Sequence, residues 1–147
     1  MKLVVASDHG GFSLKQAIVL HLQACGHEVV DVGTNSETSV DYPFYAKKAA
    51  SMVASGACDR GIVVCGAGVG ISISANKING IRCALCTNEF MARMARRHND
   101  ANMLALGGRV LAIPYALTLV DAFLEEPFDG GRHQRRIDQI TEMERDA

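Results

Sequence analysis

The chain has 147 residues, with 15 basic and 16 acidic side chains and a formal net charge of −1, so no overall field draws it to nucleic acid or to a membrane surface. No apolar run approaches the roughly 20 residues of a spanning helix, and the opening "MKLVVASDHGG" lacks the long apolar core and small-residue cleavage site of a signal peptide. These features predict one domain over residues 1–147 that buries roughly 68–70% of the unfolded chain's surface, a cytoplasmic location, and five cysteines held as thiols.

Taken in order, "KLVVAS" predicts a buried strand over 2–7. Leu14, Ala17, Ile18 and Leu22 then recur at helical spacing, which predicts a helix over 13–25 stopped by Gly26. "HEVVDVG" (27–33) reads as a second strand. After the polar loop "TNSETSVDYP" a helix runs from Pro43, a residue suited to a first turn, to Ser55. "RGIVVC" (60–65), "IRCALC" (81–86) and "ANMLAL" (101–106) supply strands three to five, with helices near 70–78 and 89–97 between them. A further helix covers 114–125, and a polar one, about 134–144, closes the chain. Strands apolar throughout and separated by crossover helices predict an α/β fold with a parallel sheet covered on both faces. Cys83 and Cys86 have a motif-like spacing, but in a strand residues three apart point to opposite faces. Core packing is the better reading of the pair.

In open α/β sheets ligands bind beyond the carboxyl ends of the strands, and the polar and glycine-rich segments 7–11, 33–37, 65–70, 87–90 and 107–110 fall there. The loop in "VVCGAGVGISISANK" (63–77) is G-x-G-x-G after the third strand. It matches neither the dinucleotide fingerprint, which follows a first strand, nor the phosphate loop with its Lys-Ser/Thr ending. What remains is a concavity of backbone N–H groups that suits a phosphate or a developing oxyanion. Cys65 stands at its mouth, a setting that favours a reactive thiolate; the plain alternative is a buried cysteine ending a strand. Asp8 and His9 leave strand one, His98 and Asn99 end the "MARMARRHN" helix, Arg109 follows strand five, and "GGRHQRR" carries Arg132, His133, Arg135 and Arg136. Each has an ordinary explanation: a helix cap for Asp8, a dipole-favoured helix end for His98, a solvated face for the arginines. Together with a cysteine at an oxyanion-type loop they point to catalysis, and several arginines point to a phosphate.

The segments "SDHGGFSLK", "DYP", "CGAGVGISISANK", "GIRCAL", "RRHNDANMLALGGRV" and "DGGRHQRRI" together resemble the type B ribose-5-phosphate isomerase family, which includes allose- and galactose-6-phosphate isomerases. The resemblance covers residues 7 to 137. It implies a three-layer Rossmann-like domain with a five-stranded parallel sheet and an extra C-terminal helix, no metal, no cofactor, and a sugar phosphate interconverted between aldose and ketose, with ribose 5-phosphate to ribulose 5-phosphate first. It makes Cys65 the base that moves a proton between C1 and C2, and His98 the residue assisting ring opening, with Asp8 helping. Gly66, Ala67, Gly68, Val69 and Gly70, with Asn99, match the groups that stabilise the enediolate, and Tyr42 of "DYP" lies on the substrate. His9, Arg132 and Arg136 match phosphate-binding positions, with Arg109 a further candidate.

The resemblance also implies a homodimer or tetramer with sites shared between subunits, the segment from about 126 to 147 packing on a partner. Ala67 stands where the family commonly has threonine, which leaves the exact sugar phosphate open: allose 6-phosphate, galactose 6-phosphate and a tetrose phosphate are alternatives. A non-catalytic sugar-phosphate-binding module needs no base, so Cys65, Asp8 and His98 weigh against it. A nucleotide-dependent oxidoreductase would need the acidic fingerprint residue that is missing here.

Overall fold

The computed structural model describes residues 1–146; Ala147, the end of the predicted partner-packing segment, lies outside them. The five apolar runs become β1 (Lys2–Ser7), β2 (Glu28–Asp31), β3 (Arg60–Cys65), β4 (Cys83–Leu85) and β5 (Met103–Gly107). All pair in parallel, in the order β2-β1-β3-β5-β4. Between and after them come α1 (Phe12–Ala24), α2 (Tyr42–Ala54), α3 (Val69–Ala75), α4 (Glu89–Arg97), α5 (Ile113–Glu125) and α6 (Arg132–Arg145), with a 3-10 turn at His9–Gly11 ahead of α1.

Alternation along each strand divides the core in two. Leu3, Val5, Ile62, Val64, Leu104 and Leu106 face α1, α4 and α5, where Ile18, Leu22, Leu119 and Phe123 are fully buried. Val4, Ala6, Val63, Met103 and Ala105 face α2 and α3, whose Ala46, Ala49, Ala50 and Ile71 are likewise inaccessible. Each large aliphatic or aromatic side chain so enclosed contributes about 1.5–3 kcal/mol relative to exposure.

Where the elements are shorter than their patterns predict, a side chain has intercepted the backbone. The third helix, predicted to Ile78, ends at Ala75 because Asn76 turns outward: its amide donates to the Cys83 carbonyl (2.9 Å) and its oxygen accepts from the Cys83 N–H (2.8 Å). Strand four, predicted over 81–86, is confined to Cys83–Leu85, the Arg82 N–H donating instead to Asn102 Oδ1 (2.9 Å). Strand two stops at Asp31, whose Oδ1 accepts from the Gly33 N–H (3.0 Å). α6 begins two residues earlier than predicted, after Gly131 at φ 57°.

Cys83 and Cys86 fall on opposite sides of the sheet, Cys83 with the α2–α3 side and Cys86 with the other. Burial pushes the Cys83 thiol up to about 12 and the Cys86 thiol to about 11, and raises Cys58 as well. Cys25, by contrast, is exposed. Iodoacetamide at pH 8 is therefore expected to modify Cys25 on the folded protein and to leave Cys83 and Cys86 intact until denaturant is added, as read by peptide mass mapping. Equal rates at Cys83 and Cys25 would contradict the packing described.

α6 is the least enclosed helix. Only His133 and Ile137 are buried, while Ile140 and Met143 are 40% and 68% exposed. It starts beside the end of α4, where the Asp129 N–H donates to the Arg97 carbonyl (2.9 Å). It ends where Glu144 Oε1 accepts from the Gly80 N–H (2.9 Å). A groove of about 600 Å³ lies between it and the edge strand β4, with Ile81, Cys83, Ala84, Ile140 and Met143 in its walls.

Candidate active site

The chain leaves β1 for β2 on one side and returns to β3 on the other, so the loops after β1 and β3 part at their carboxyl ends and open a crevice. Three backbones meet there. The Asp8 N–H donates to the Val64 carbonyl (3.2 Å), Gly108 N–H to Cys65 (2.8 Å) and Arg109 N–H to Gly66 (2.9 Å). The approach leaves no room for side chains: a Cβ on Gly10 would lie 3.0 Å from the Gly66 nitrogen. That is the physical content of the glycines in "SDHGG" and "CGAGVG".

Cys65, 5% exposed, ends β3 at the floor of this crevice. The chain then turns through Gly68 at φ 79°, a left-handed conformation that side chains rarely adopt. The turn aims the Gly68 N–H at Cys65 Sγ, 3.1 Å away. Gly68 caps α3 with no side-chain hydrogen bond, so no cap side chain occupies the N–H groups of the helix's first turn. Ala67 and Val69 are exposed at the mouth. Tyr42, first residue of α2, lies against α3 at Gly70, where a Cβ would come within 2.9 Å of the phenol oxygen. Asp8, 6% exposed, accepts from the Gly11 N–H (3.2 Å) and so caps the 3-10 turn.

His9 and Arg109 are drawn together at the same edge. His9 Nδ1 accepts from the Val40 N–H (3.1 Å), which leaves Nε2 as the ring's open nitrogen. The Arg109 guanidinium lies over Gly66, 3.2 Å from where a Cβ would stand. With Ser13 and Glu37 they line a cavity of about 330 Å³. Sequence reasoning passed over Ser13 and Glu37, although Ser13 sits in the quoted "SDHGGFSLK". It also passed over Lys15, a buried ammonium held by Asp31 Oδ2 (2.8 Å) and the Thr34 carbonyl (2.7 Å), which fixes the β2 loop beside the crevice.

The remaining candidates are elsewhere. α4 runs back against the strand direction, so His98 and Asn99 at its end lie by the amino ends of β4 and β5. There the Asn99 carbonyl accepts from Arg82 Nε (2.9 Å) and the Asp100 carbonyl from Arg82 Nη2 (2.9 Å). A six-residue strand spans roughly 20 Å, so in one chain Cys65 and His98 sit at opposite edges of the sheet. At the amino edge His98 stacks on His133, ring centroids 4.1 Å apart and planes within 10°. The His133 ring is held below the usual imidazole range, by burial first, then by His98, Arg132 and Arg136. Arg132 and Arg136, four apart on α6, share a helix face and are exposed. Arg97 Nε meets Asp129 Oδ1 at 3.3 Å and ties the cluster to α4. The fold thus presents two separate clusters: a cysteine at a glycine-lined crevice at one edge, and stacked histidines among arginines at the other.

A parallel α/β sheet with a cysteine-headed glycine loop at its crevice, and exposed arginines at its other edge, has groups suited to acid–base chemistry and to an anion, and no nucleotide fingerprint. The chain belongs to the Ribose/Galactose Isomerase family, whose model matches residues 3–140. It is 49% identical over 143 residues to ribose-5-phosphate isomerase B of Escherichia coli K12, covering 97% of this chain and 96% of that protein. Among solved structures it resembles ribose-5-phosphate isomerase B of Clostridium thermocellum with a TM-score of 0.98, 55% identity and 99% of both chains covered. It also resembles the Mycoplasma genitalium ribose-5-phosphate isomerase B with bound ribulose-5-phosphate, with a TM-score of 0.96, 41% identity, and 99% of this chain and 97% of that one covered.

Proposed function

We propose that the protein interconverts ribose 5-phosphate and ribulose 5-phosphate through an enediolate, with Cys65 as the base. The observation that carries the reading is Cys65 Sγ at the mouth of the glycine loop with the Gly68 N–H directed at it (3.1 Å), in a chain about half identical to ribose-5-phosphate isomerases B along its length. The Cys65 thiolate takes the proton from C2 of the open-chain aldose, and the C–H electron pair moves through C2 and C1 onto O1. The same thiol returns a proton to C1, and the O2 proton passes to O1 as the ketone forms. A positioned base supplies typically about 10²–10⁴-fold, and each preorganised donor at the developing oxyanion about 3–4 kcal/mol. The loop N–H groups between Gly66 and Gly70 are the donors assigned to that oxyanion, with Tyr42 against Gly70 and Asp8 at the end of β1 as neighbouring groups.

His98, Asn99, Arg132 and Arg136 join this chemistry through a second copy of the chain. The sheet separates them from Cys65 within one chain, so a homodimer, or a tetramer of such dimers, brings one chain's amino edge to the other's carboxyl edge. His98 then assists ring opening, Asn99 meets the enediolate, and Arg132 and Arg136 hold the phosphate with His9 and Arg109. The segment from about residue 126 onward packs on the partner in this arrangement, consistent with Ile140 and Met143 being exposed. Unpaired cysteines throughout the described residues suit a cytoplasmic setting, and no helix among them is long and apolar enough to cross a membrane.

Purified protein, with no added cofactor or metal, is expected to equilibrate ribose 5-phosphate with ribulose 5-phosphate in a panel that includes allose 6-phosphate, galactose 6-phosphate and a tetrose phosphate. Turnover of a six- or four-carbon phosphate alone would move the substrate assignment; Ala67, exposed and without a hydroxyl, is the residue that would then explain it. His98→Asn is expected to slow turnover of ribose 5-phosphate, which is mainly a closed ring, and to spare an acyclic tetrose phosphate. Equal losses on the two substrates would remove ring opening from His98.

A further inference from the structure

On the side of the sheet formed by α1 and α5, three metal-binding atoms converge on a point that the proposed chemistry does not use. His21 and Cys25 are four apart near the end of α1, hence on one face of the helix. His21 Nε2 lies 2.7 Å from Asp121 Oδ1 of α5 and 3.9 Å from Cys25 Sγ, and the three ligand atoms all lie within 4.8 Å of one another. Both partners address the same ring nitrogen. That arrangement does not suit a cysteine–histidine–aspartate relay, in which cysteine and carboxylate engage opposite nitrogens of the ring. It suits a single electrophile seated between the three.

We propose that His21, Cys25 and Asp121 form a binding site for a divalent borderline-soft cation, zinc first, that clamps α1 to α5. Zinc takes Cys sulfur at about 2.3 Å, His nitrogen at about 2.0–2.1 Å and carboxylate oxygen at about 2.0–2.2 Å in a tetrahedron, which sets ligand atoms roughly 3.3–3.6 Å apart. The sulfur-to-nitrogen gap must close and the nitrogen-to-oxygen gap must open, each by well under 1 Å. The side chains have the freedom to do so: Cys25 is exposed, and the His21 and Asp121 side chains are 25% and 42% accessible. The site also lies where a cation is electrostatically favoured. Cys25 is the C-cap of α1 and His21 is in its last turn, at the negative end of the helix dipole. One thiolate and one carboxylate then neutralise the ion, and a fourth position stays open to water. The other cluster of suitable spacing, His98, Asp129 and His133, is less apt, because Arg97, Arg132 and Arg136 surround it with positive charge.

The test is a titration of the reduced, full-length protein with Co²⁺ and then Zn²⁺, monitored by sulfur-to-cobalt charge-transfer absorption and by thermal melting. The expected result is one equivalent per chain and a melting temperature raised by several degrees when the metal is in excess, since the ion binds the folded chain preferentially. Zinc should also shield Cys25 from iodoacetamide. His21→Gln and Cys25→Ser should each abolish the charge-transfer band and the shift, with isomerase activity unchanged. Absence of binding at micromolar metal would overturn the proposal. So would binding that survives both variants, or that disappears in His133→Asn instead, which would put the ion at the other cluster. Failure of the isomerase assignment would leave these outcomes untouched.

Discussion

Cys65→Ala is expected to lower turnover of ribose 5-phosphate by at least about 10²-fold while leaving its affinity within a few-fold of the parent. The size follows from the role: a positioned base is worth about 10²–10⁴-fold, and the Cys65 sulfur is the acceptor that lies directly against the glycine loop, 3.1 Å from the Gly68 N–H. Asp8 has one carboxylate oxygen committed to the Gly11 N–H, and His9 Nδ1 is taken by the Val40 N–H. Binding should persist because the proposed phosphate contacts come from His9, Arg109, Arg132 and Arg136, none of which leans on the sulfur. The structural disturbance should be small. Alanine keeps the Cβ, and what is lost is one sulfur acceptor for the Gly68 N–H, whose left-handed turn is a property of the glycine itself. Single-turnover kinetics separate the two quantities. A variant that loses affinity and turnover together would make Cys65 a binding group, and near-normal turnover would take it out of the mechanism.

The carboxyl edge could be read from the sequence because its signals are local. Apolar runs end in "SDHGG", "CGAGVG" and "GGRV", and the rule that ligands sit beyond strand ends collects them. Helix starts and stops were similarly legible: Pro43 lies in the first turn of α2 and Gly26 follows α1 at φ 88°. What the sequence hides is non-local. Nothing in "ANMLAL" announces that β5 inserts between β3 and β4, because both strands are apolar on both faces and a register or order carries no local mark. The closeness of Tyr42 to Gly70 joins segments 28 positions apart through helix packing alone. The early end of α3 depends on Asn76 finding Cys83, again a tertiary event. The separation of His98 from Cys65 was partly legible, since a crossover helix must run back against its strand. The stacking of His98 on His133, and its link through Asp129, needed the path of the chain after α5.

That separation is the centre of the account, and subunit mixing addresses it most directly. Arg132→Ala alone is expected to cost at least about tenfold in kcat/KM, as the loss of one charge-assisted phosphate contact. Cys65→Ala is expected to be essentially inactive. In the proposed two-fold dimer, with each crevice set against the partner's amino edge, a hybrid of the two variants holds one site with both changes and one with neither. Dissociating and reassociating an equimolar mixture should bring activity up to about one quarter of the parent enzyme, half the dimers being hybrids with one intact site in two. If subunit exchange is confirmed by mass and the activity stays at the mean of the two separate variants, Cys65 and Arg132 serve the same chain's site, and the two-chain arrangement is wrong.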